Sequence, residues 1–215
     1  MTDFAAARRH MVDGQVRTAD VTDLRIISAM QDVPRERFVP PEAASLAYLD
    51  RAPTVGAGRC LLKPVVLAKL IQALELEPTD RILVVGCATG YAAAVLAHIA
   101  GQVVALEQDD KLTQAAQAVL APQTNVTVAK GALVEGYAQG APYDAILIDG
   151  AVEQVPDALR QQLKDGGKLA CVLGVPPHAS AMLYRRSGDD LGGRAIFDAA
   201  AALLPGFAKA RAFAF

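Results

Sequence analysis

The fold is decided by one stretch of sequence, Arg81-Ile-Leu-Val-Val-Gly-Cys-Ala-Thr-Gly-Tyr-Ala-Ala-Ala-Val-Leu-Ala97, and by Val103-Val-Ala-Leu-Glu107, which follows it. An apolar run of strand length leads into a glycine turn, the turn opens an Ala-rich helix, and a second apolar run ends on a carboxylate. Gly86 and Gly90 let the backbone turn tightly and approach a ligand, and the helix presents unpaired N–H groups at the same place. This order predicts a nucleotide-type cofactor site.

Glu107 strengthens that prediction through its position. It lies seventeen residues after Gly90, and folds of this type place an acidic residue there to accept hydrogen bonds from ribose hydroxyls. A glycine turn found alone is more often structural than ligand-binding. The pairing of the turn with Glu107 therefore favours a cofactor site.

Composition limits the class of protein. The chain has 215 residues, 53% of them hydrophobic, which is enough for one α/β domain with an extension. A net charge of −2 gives no general attraction to nucleic acid or to an anionic membrane. No signal-peptide core or membrane-spanning run is evident, so we expect a cytoplasmic protein. Cys60, Cys87 and Cys171 are too widely spaced for a disulfide framework or a zinc site, and the three histidines lack metal-like spacing.

Beyond Asp80 the sequence alternates between strand and helix patterns. Such alternation predicts βαβ units and a mostly parallel sheet covered by helices on both faces. Ligands bind at the carboxyl ends of such strands, where the strand order reverses. The expected strands are 82–85, 103–107, 126–129, 145–149 and 169–173, and the expected helices are 91–100, 109–120 and 155–163.

The two ends of the chain have different patterns. Helical spacing runs from Ala5 to Met30 with an interruption near Asp13, and Thr22 is expected to cap its second part. Pro64 is placed as a first-turn proline of another apolar helix. The tail has a polar turn at 187–193 between apolar segments, which predicts a closing hairpin, although the run 199–202 is also compatible with a helix.

The glycine turn narrows the choice of cofactor. Nicotinamide and flavin sites usually carry G-x-G-x-x-G, but Ala88 takes the place of the middle glycine and Tyr91 follows the turn. No G-K-[ST] follows, which excludes a P-loop. The remaining common ligand is S-adenosylmethionine, which carries no phosphate and needs backbone room and a carboxylate for its ribose.

Several motifs in order resemble the protein-L-isoaspartate O-methyltransferase family, from about residue 11 to 174. That resemblance implies a Rossmann-like seven-stranded, mostly parallel sheet, S-adenosyl-L-methionine as donor with S-adenosyl-L-homocysteine as product, and methylation of the side-branch carboxyl in isoaspartyl proteins or peptides. The motifs are Met11-Val-Asp-Gly-Gln15, Val33-Pro-Arg-Glu-Arg-Phe-Val-Pro40, Ala47-Tyr-Leu-Asp50, the loop Gly86 to Tyr91, Pro142-Tyr-Asp144 and Gln162-Leu-Lys-Asp-Gly-Gly-Lys-Leu169.

The implied reaction requires little acid–base chemistry. A carboxylate has a pKa near about 4 and is already ionised at neutral pH, so it can attack a sulfonium methyl without a general base. Correct placement of the two reactants can contribute roughly 7–11 kcal/mol. We therefore expect the protein to act mainly by positioning, through a hydroxyl or a backbone N–H that orients the acceptor.

The resemblance also assigns regions and residues. It implies an extension over residues 1–75 that forms part of the acceptor site, mainly through residues 56–68, and a cofactor-binding core over residues 76–215 in the same structural domain. The acceptor loop corresponds to Cys60, Leu62 and Lys63. The expected donor-site residues are Gly86, Cys87, Ala88, Gly90, Tyr91, Glu107, Gln108, Gly131, Ala132, Leu133 and Asp149.

The chain departs from its family at several of these positions. The family segment resembles G-Q-T-I-S-Q-P, whereas this chain reads Gly58-Arg-Cys-Leu-Leu-Lys-Pro64, so Cys60 and Leu62 replace two hydroxyl residues. Val84 and Ala132 replace two acidic residues. Lys63 or Arg59 could instead hold a charged acceptor.

Two alternatives to isoaspartyl methylation stay open on the sequence. One is a non-catalytic relative that keeps the fold for binding or assembly, which the residues at Leu62, Val84 and Ala132 favour. The other is a methyltransferase for a less polar acceptor, held against a wall formed by Leu61 and Leu62. Cys60 is expected to be a structural thiol rather than a nucleophile, because no histidine lies near it in the sequence.

Overall fold

The computed structural model describes residues 3–209. The first part of the chain is mainly helical and carries one small hairpin, and the rest forms a single large sheet with helices. The front elements are α1 (Phe4–Met11), α2 (Leu24–Asp32), β1 (Thr54–Gly56), β2 (Arg59–Cys60) and α3 (Pro64–Leu74), and the sheet region contains β3 (Arg81–Val85), α4 (Tyr91–Ala97), β4 (Gln102–Glu107), α5 (Asp110–Leu120), β5 (Val126–Lys130), β6 (Tyr143–Val152), α6 (Asp157–Gln162), β7 (Leu163–Leu173), β8 (Ser180–Ser187) and β9 (Asp190–Asp198).

The large sheet has seven strands in the order β5-β4-β3-β6-β7-β8-β9. The first five strands of that order are parallel, and β8 and β9 add an antiparallel hairpin at one edge. The predicted seven-stranded, mostly parallel sheet and its closing hairpin are therefore confirmed. The strand order reverses at β3, which lies between β4 and β6.

Residues of the central strands alternate between two hydrophobic cores, as a sheet covered on both faces requires. In β3, Ile82 and Val84 belong to the core on one face, and Leu83 and Val85 belong to the core on the other. The first core also includes α3 and the front helices, so the extension packs directly on the sheet. In the described part, no helix has the length and apolar character needed to cross a membrane.

Some local predictions were wrong. The interruption expected near Asp13 is a π-helical turn, Val12–Val16, which continues α1 without a break. Asp23, and not Thr22, caps α2 by accepting a hydrogen bond from the N–H of Arg25 at 2.8 Å. The helix predicted over 155–163 covers only Asp157–Gln162, because Pro156 sets its start and Leu163 already begins β7.

The segment after β9 is extended rather than helical. Ala151 in β6 donates to the carbonyl of Ala202 at 2.8 Å and accepts from the N–H of Leu204 at 2.9 Å. Glu153 donates in the same way to the carbonyl of Phe207 at 3.1 Å. We call residues 199–209 the C-terminal strap. Phe207 is buried in the second core, whereas Phe213 and Phe215, whose placement the sequence left open, lie outside the described residues.

Candidate functional site

The candidate site lies at the carboxyl edge of the sheet, where the strand order reverses. Val85 of β3 is paired with Leu106 of β4 and with Ile148 of β6. The residues that follow these three are Gly86, Glu107 and Asp149, so they reach the same level of one edge. This is the position at which open α/β sheets bind ligands.

The glycine turn is fixed by its own backbone. The N–H groups of Gly86 and Cys87 both donate to the carbonyl of Leu106, at 2.9 and 3.0 Å. Gly86 and Gly90 have φ angles of 75° and 98°, and Ala88 adopts the left-handed region at 50°. A Cβ on Gly90 would lie 2.6 Å from Cδ1 of Leu120. Gly90 is therefore needed both for its backbone angle and for its lack of a side chain.

Glu107 is fully buried, and backbone donors hold its carboxylate. Oε2 accepts from the N–H of Ala88 at 2.8 Å, and Oε1 accepts from Gln108 and Asp109 at 2.9 and 3.2 Å. Three backbone N–H groups stabilise the ionised form of a carboxylate. The turn and the end of β4 thus form a preorganised acceptor of hydrogen bonds.

A second side chain already occupies the front of this carboxylate. Nη1 of Arg59 donates to both oxygens of Glu107, at 3.0 and 2.9 Å, and Nη2 donates to the carbonyl of Gly86 at 2.6 Å. The side chain of Arg59 is only 3% exposed. Arg59 comes from the small hairpin β1–β2, so a residue of the front extension reaches into the expected donor site.

The strap closes the same space from the other side. A Cβ on Gly86 would lie 2.8 Å from Nη2 of Arg59 and 3.0 Å from Cδ1 of Leu204. A Cβ on Gly150 would lie 2.5 Å from Cδ2 of Leu204. Arg59 and Leu204 therefore fill the volume next to the glycine turn, and a ribose does not fit against Glu107 while Arg59 stays in place.

Arg59 corrects one interpretation of the sequence, in which it could hold a charged acceptor. Its guanidinium donates to Glu107 and to the carbonyl of Gly86, among the residues expected to bind the donor. The sequence did show one unusual feature here, because Arg59 stands where the family segment carries its first glutamine. Nothing in its sequence neighbours, however, indicated a contact with a residue 48 positions away.

Asp149 lies at the same edge in a buried polar group with Arg35 and Tyr91. Burial raises the pKa of Asp149 to about 7, although Arg59 and Arg35 act to lower it, and the Glu107 carboxylate raises it. Among residues 3–209, Oδ1 of Asp149, Nη1 of Arg35 and the hydroxyl of Tyr91 find no hydrogen-bond partner. Asp149 belongs to β6 and does not cap the next helix, whose N-cap is Pro156.

Arg35 ties the front extension to the sheet. It is fully buried, and it donates through Nε to the carbonyl of Ala47 at 2.8 Å and through Nη2 to that of Leu62 at 2.7 Å. Its guanidinium carbon lies 4.5 Å from the centre of the Tyr91 ring, which also packs edge-on against Phe38. Tyr91 thus lies under the front elements.

The expected acceptor loop has a mixed environment. Cys60 is partly exposed, with its sulfur 3.6 Å from the hydroxyl of Thr54. Lys63 is half-exposed and lies 3.8 Å from Asp50. Leu62 is buried in the core together with Leu61, so these two side chains do not form the open apolar wall that a less polar acceptor would need.

The remaining expected donor-site residues are spread over the neighbouring loops. Cys87 and Leu133 are buried, Gln108 and Ala132 are exposed, and Gly131 donates through its backbone to the carbonyl of Glu107 at 3.0 Å. Burial raises the pKa of the Cys87 thiol well above its usual value, and the Glu107 carboxylate raises it further. This thiol is therefore neutral, and Cys87 packs as a small side chain. Val84 is also buried, inside the first core.

A groove of about 490 Å³ lies beside the front hairpin. It is open to solvent and combines apolar residues with charged ones. It runs along the segment that precedes β2 and reaches Gly56 at the hairpin tip. Its lining consists of Pro40, Glu42, Ala43, Leu46, Arg51, Ala52, Pro53, Thr54, Val55 and Gly56.

Comparison with known proteins gives one consistent result. The family model for Protein-L-isoaspartate(D-aspartate) O-methyltransferase (PCMT) matches residues 6–196. A Protein-L-isoaspartate O-methyltransferase of Roseiflexus sp. (strain RS-1) is 40% identical over 191 residues, covering 88% of this chain and 87% of the relative. Protein-L-isoaspartate O-methyltransferase 1 of Rhodopseudomonas palustris (strain HaA2) is 40% identical over 194 residues, covering 88% and 79%.

Two solved structures share the fold. A protein-L-isoaspartate O-methyltransferase superposes with a TM-score of 0.80 at 24% identity, and the match covers 93% of this chain and 66% of that chain. A putative protein-L-isoaspartate O-methyltransferase from Plasmodium falciparum, in complex with S-adenosyl-L-homocysteine, gives a TM-score of 0.76 at 16% identity, covering 95% and 99%. At these identities the likeness establishes the common architecture.

Proposed function

The chain belongs to the protein-L-isoaspartate O-methyltransferase family, and we propose that it is an S-adenosylmethionine-dependent carboxyl methyltransferase that acts on isoaspartyl residues of damaged proteins. The family model covers residues 6–196, which include both the front extension and the parallel part of the sheet. The relatives at 40% identity carry the same name.

One observation carries the proposal. Glu107 ends β4 at the edge where the strand order reverses, and its carboxylate accepts hydrogen bonds from Ala88, Gln108 and Asp109. A carboxylate held in this way can accept hydrogen bonds from the two hydroxyls of a ribose. We propose that Glu107 binds the ribose hydroxyls of the donor and that the glycine turn contacts the methionine part of the donor. Binding requires Arg59 to withdraw from Glu107.

The chemistry suits a site without an exposed general base. The acceptor carboxylate is ionised at neutral pH, so no proton has to be removed from it. The titratable side chains of the site edge are buried or already paired, as Glu107 and Asp149 illustrate. The contribution of the chain is therefore placement of the acceptor and exclusion of water.

We place the acceptor in the groove beside the front hairpin, within the extension of residues 1–75 that packs on the core of residues 76–215. The groove is open to solvent and is lined in part by β1, the strand that pairs with β2. Cys60 lies in β2, and Leu62 and Lys63 follow it in the chain. An extended peptide could lie in it and bring a side-branch carboxyl towards Lys63, whose side chain is half-exposed. Since the serine position of the family is Leu62 and is buried, orientation of this carboxyl falls to Lys63 and backbone N–H groups.

The test is transfer of a labelled methyl group to an isoaspartyl peptide. We expect base-labile label in that peptide and none in the same peptide with ordinary aspartate. Glu107→Gln, with folding checked by circular dichroism, should reduce transfer at least tenfold, because a neutral amide accepts hydrogen bonds less strongly than a carboxylate. Absence of label with the natural chain, at saturating donor and peptide, would overturn the assignment.

A second candidate is a non-catalytic relative that binds the donor as a ligand. The occupation of the site by Arg59 and Leu204 favours it, together with the absence of a hydroxyl at Leu62. Calorimetry with S-adenosylmethionine distinguishes the two functions, because binding without transfer supports the second.

Under either function we place the protein in the cytoplasm, because its three cysteines are unpaired. We propose protein or peptide partners rather than nucleic acid or membrane, because the net charge is only −2.

A further inference from the structure

We propose that Arg59 is an internal competitor of the methyl donor: its guanidinium occupies the ribose position on Glu107 and thereby sets the affinity for the donor. This inference rests on the proposed function, because it assumes that Glu107 receives the ribose. It concerns a residue of the front extension that stands where the family segment carries glutamine.

The contacts of Arg59 are those expected of a ligand. It makes hydrogen bonds to both carboxylate oxygens of Glu107 and to the carbonyl of Gly86. The two hydroxyls of a ribose would use the same oxygens, and the methionine part would use the space at Gly86. The overlap is therefore direct, and donor and guanidinium cannot occupy the site together.

The ion pair between Arg59 and Glu107 has the features of a strong contact, which supports competition with the methyl donor. The pair is almost completely buried, with side-chain exposures of 3% for Arg59 and 0% for Glu107. A planar guanidinium on a carboxylate makes short, charge-assisted hydrogen bonds, and burial reduces screening by water and salt. The donor must first break this pair, and the free energy of breaking it is subtracted from the free energy of binding.

In residues 3–209, the hairpin that carries Arg59 is not paired through its backbone with the large sheet. β1 and β2 contain only three and two residues and pair with each other as a separate two-stranded sheet. Their turn, residues 56–58, is exposed, and a Cβ on Gly56 or Gly58 would meet nothing within 4 Å. Withdrawal of Arg59 therefore breaks no hydrogen bond between strands of the large sheet and, beside the exposed turn, gives the guanidinium access to water, while Val55 and Leu61 keep the hairpin anchored in the first core.

Glu107 keeps partners when Arg59 leaves. The N–H groups of Ala88, Gln108 and Asp109 still donate to it. These three backbone hydrogen bonds keep the carboxylate satisfied and in place. The donor can then replace the guanidinium without leaving a buried charge unpaired.

The experiment measures the affinity for S-adenosylhomocysteine by calorimetry in the natural chain and in Arg59→Gln, which restores the family residue. We expect at least tenfold tighter binding in Arg59→Gln. Arg59→Lys should fall between the two, because an ammonium keeps the charge but cannot bridge both Glu107 and Gly86. The control is Arg17→Gln, which removes the same charge from an exposed pair with Asp13 and should leave the affinity unchanged.

The possible outcomes separate this inference from the proposed function. Equal affinity in the natural chain and both variants at position 59, together with methyl transfer, overturns the competition and leaves the function intact. If neither the natural chain nor any folded variant binds S-adenosylhomocysteine, both the competition by Arg59 and the proposed function are overturned. If Arg59→Gln does not fold, Arg59→Lys alone decides, because a lysine that leaves the affinity unchanged contradicts the proposal.

Discussion

At the scale of single residues, the site depends on how buried charges are paired. Glu107 has a full set of donors, whereas Asp149 at the same edge has an oxygen without a partner in the described range. A buried carboxyl without donors favours its neutral form. The two acids therefore differ in how their carboxyl groups are paired, although both follow a buried strand.

Asp149→Asn should change how stability depends on pH. The pKa of Asp149 is raised to about 7 in the folded state from 3.8. The folded chain thus binds more protons than the unfolded chain between these values, and this residue lowers the free energy of unfolding as the pH rises from about 4 to about 7. The decrease is up to about 1.4 kcal/mol per pH unit. Asparagine resembles the neutral acid and does not titrate.

Urea unfolding of both proteins at several pH values measures this effect. The difference in stability between Asp149→Asn and the natural chain should grow with pH from 4 to 7 and stay constant above about 8. A difference that is independent of pH would mean that the pKa of Asp149 is the same in the folded and unfolded chains, so that burial does not raise it. The comparison isolates Asp149, because the charged groups around it, Arg59, Arg35 and Glu107, are the same in both proteins.

Arg35→Met should destabilise the chain, although the substitution keeps an apolar stem. It leaves the buried carbonyls of Ala47 and Leu62 without their donor, and each unsatisfied group costs about 1–3 kcal/mol. We expect a loss of about 2–4 kcal/mol in the free energy of unfolding, measured with urea. Arg37→Met is the control, because Arg37 is exposed, and it should change stability by less than about 0.5 kcal/mol.

The sequence predicted that Glu107 and the glycine turn meet at one sheet edge, because their placement depends on the local spacing of strands and turns. It could not identify the role of Arg59, because the contact joins two segments 48 residues apart and depends on how a short hairpin docks. The burial of Leu62 was likewise unpredictable, since an apolar residue in a loop can face either a ligand or the core. Long-range packing decides such cases.

At the scale of elements, the turn between β3 and α4 is the most constrained part of the site. Gly90 has a φ angle of 98° and lies directly against Leu120 of α5. This packing limits how closely α5 approaches the glycine turn. The sequence pattern predicted the strands of the sheet well. It misplaced both ends of α6, because Pro156 directly precedes the first residue of this helix and β7 begins directly after the last one.

Gly90→Ala should cost more than about 1 kcal/mol in the free energy of unfolding, because alanine is strained at this angle and its Cβ would come within 2.6 Å of Leu120. Thermal and urea unfolding measure the change. Gly14→Ala is the matched control: it lies in the π-helical turn with open space around a Cβ. It should be neutral or raise stability by up to about 1 kcal/mol. Equal effects at both positions would contradict the explanation.

At the scale of the whole molecule, three distant segments meet at one sheet edge. The front hairpin contributes Arg59, the core contributes Glu107, and the strap contributes Leu204. The βαβ pattern predicted the edge itself, because crossover rules place successive strand ends together. The strap was not predicted, since its apolar run of alanines is compatible with both helix and extended chain.

Leu204→Ala tests the role of the strap. Leu204 is 2% exposed and lies against both Gly86 and Gly150. Its truncation should reduce stability by about 2–5 kcal/mol through lost burial and a cavity. Leu24→Ala, at a position that is 70% exposed, should change it by less than about 0.5 kcal/mol. A small loss at Leu204 would mean that the strap is not packed on the sheet edge.

One site is central to the proposed function: Glu107 receives the donor ribose after Arg59 withdraws. A crystal structure of the full chain with S-adenosylhomocysteine bound tests this most directly. We predict both ribose hydroxyls within hydrogen-bonding distance of the Glu107 carboxylate, and the Arg59 guanidinium displaced from Glu107 and from the carbonyl of Gly86. A ligand bound elsewhere, or a ribose at this edge with Arg59 still paired to Glu107, would contradict the account.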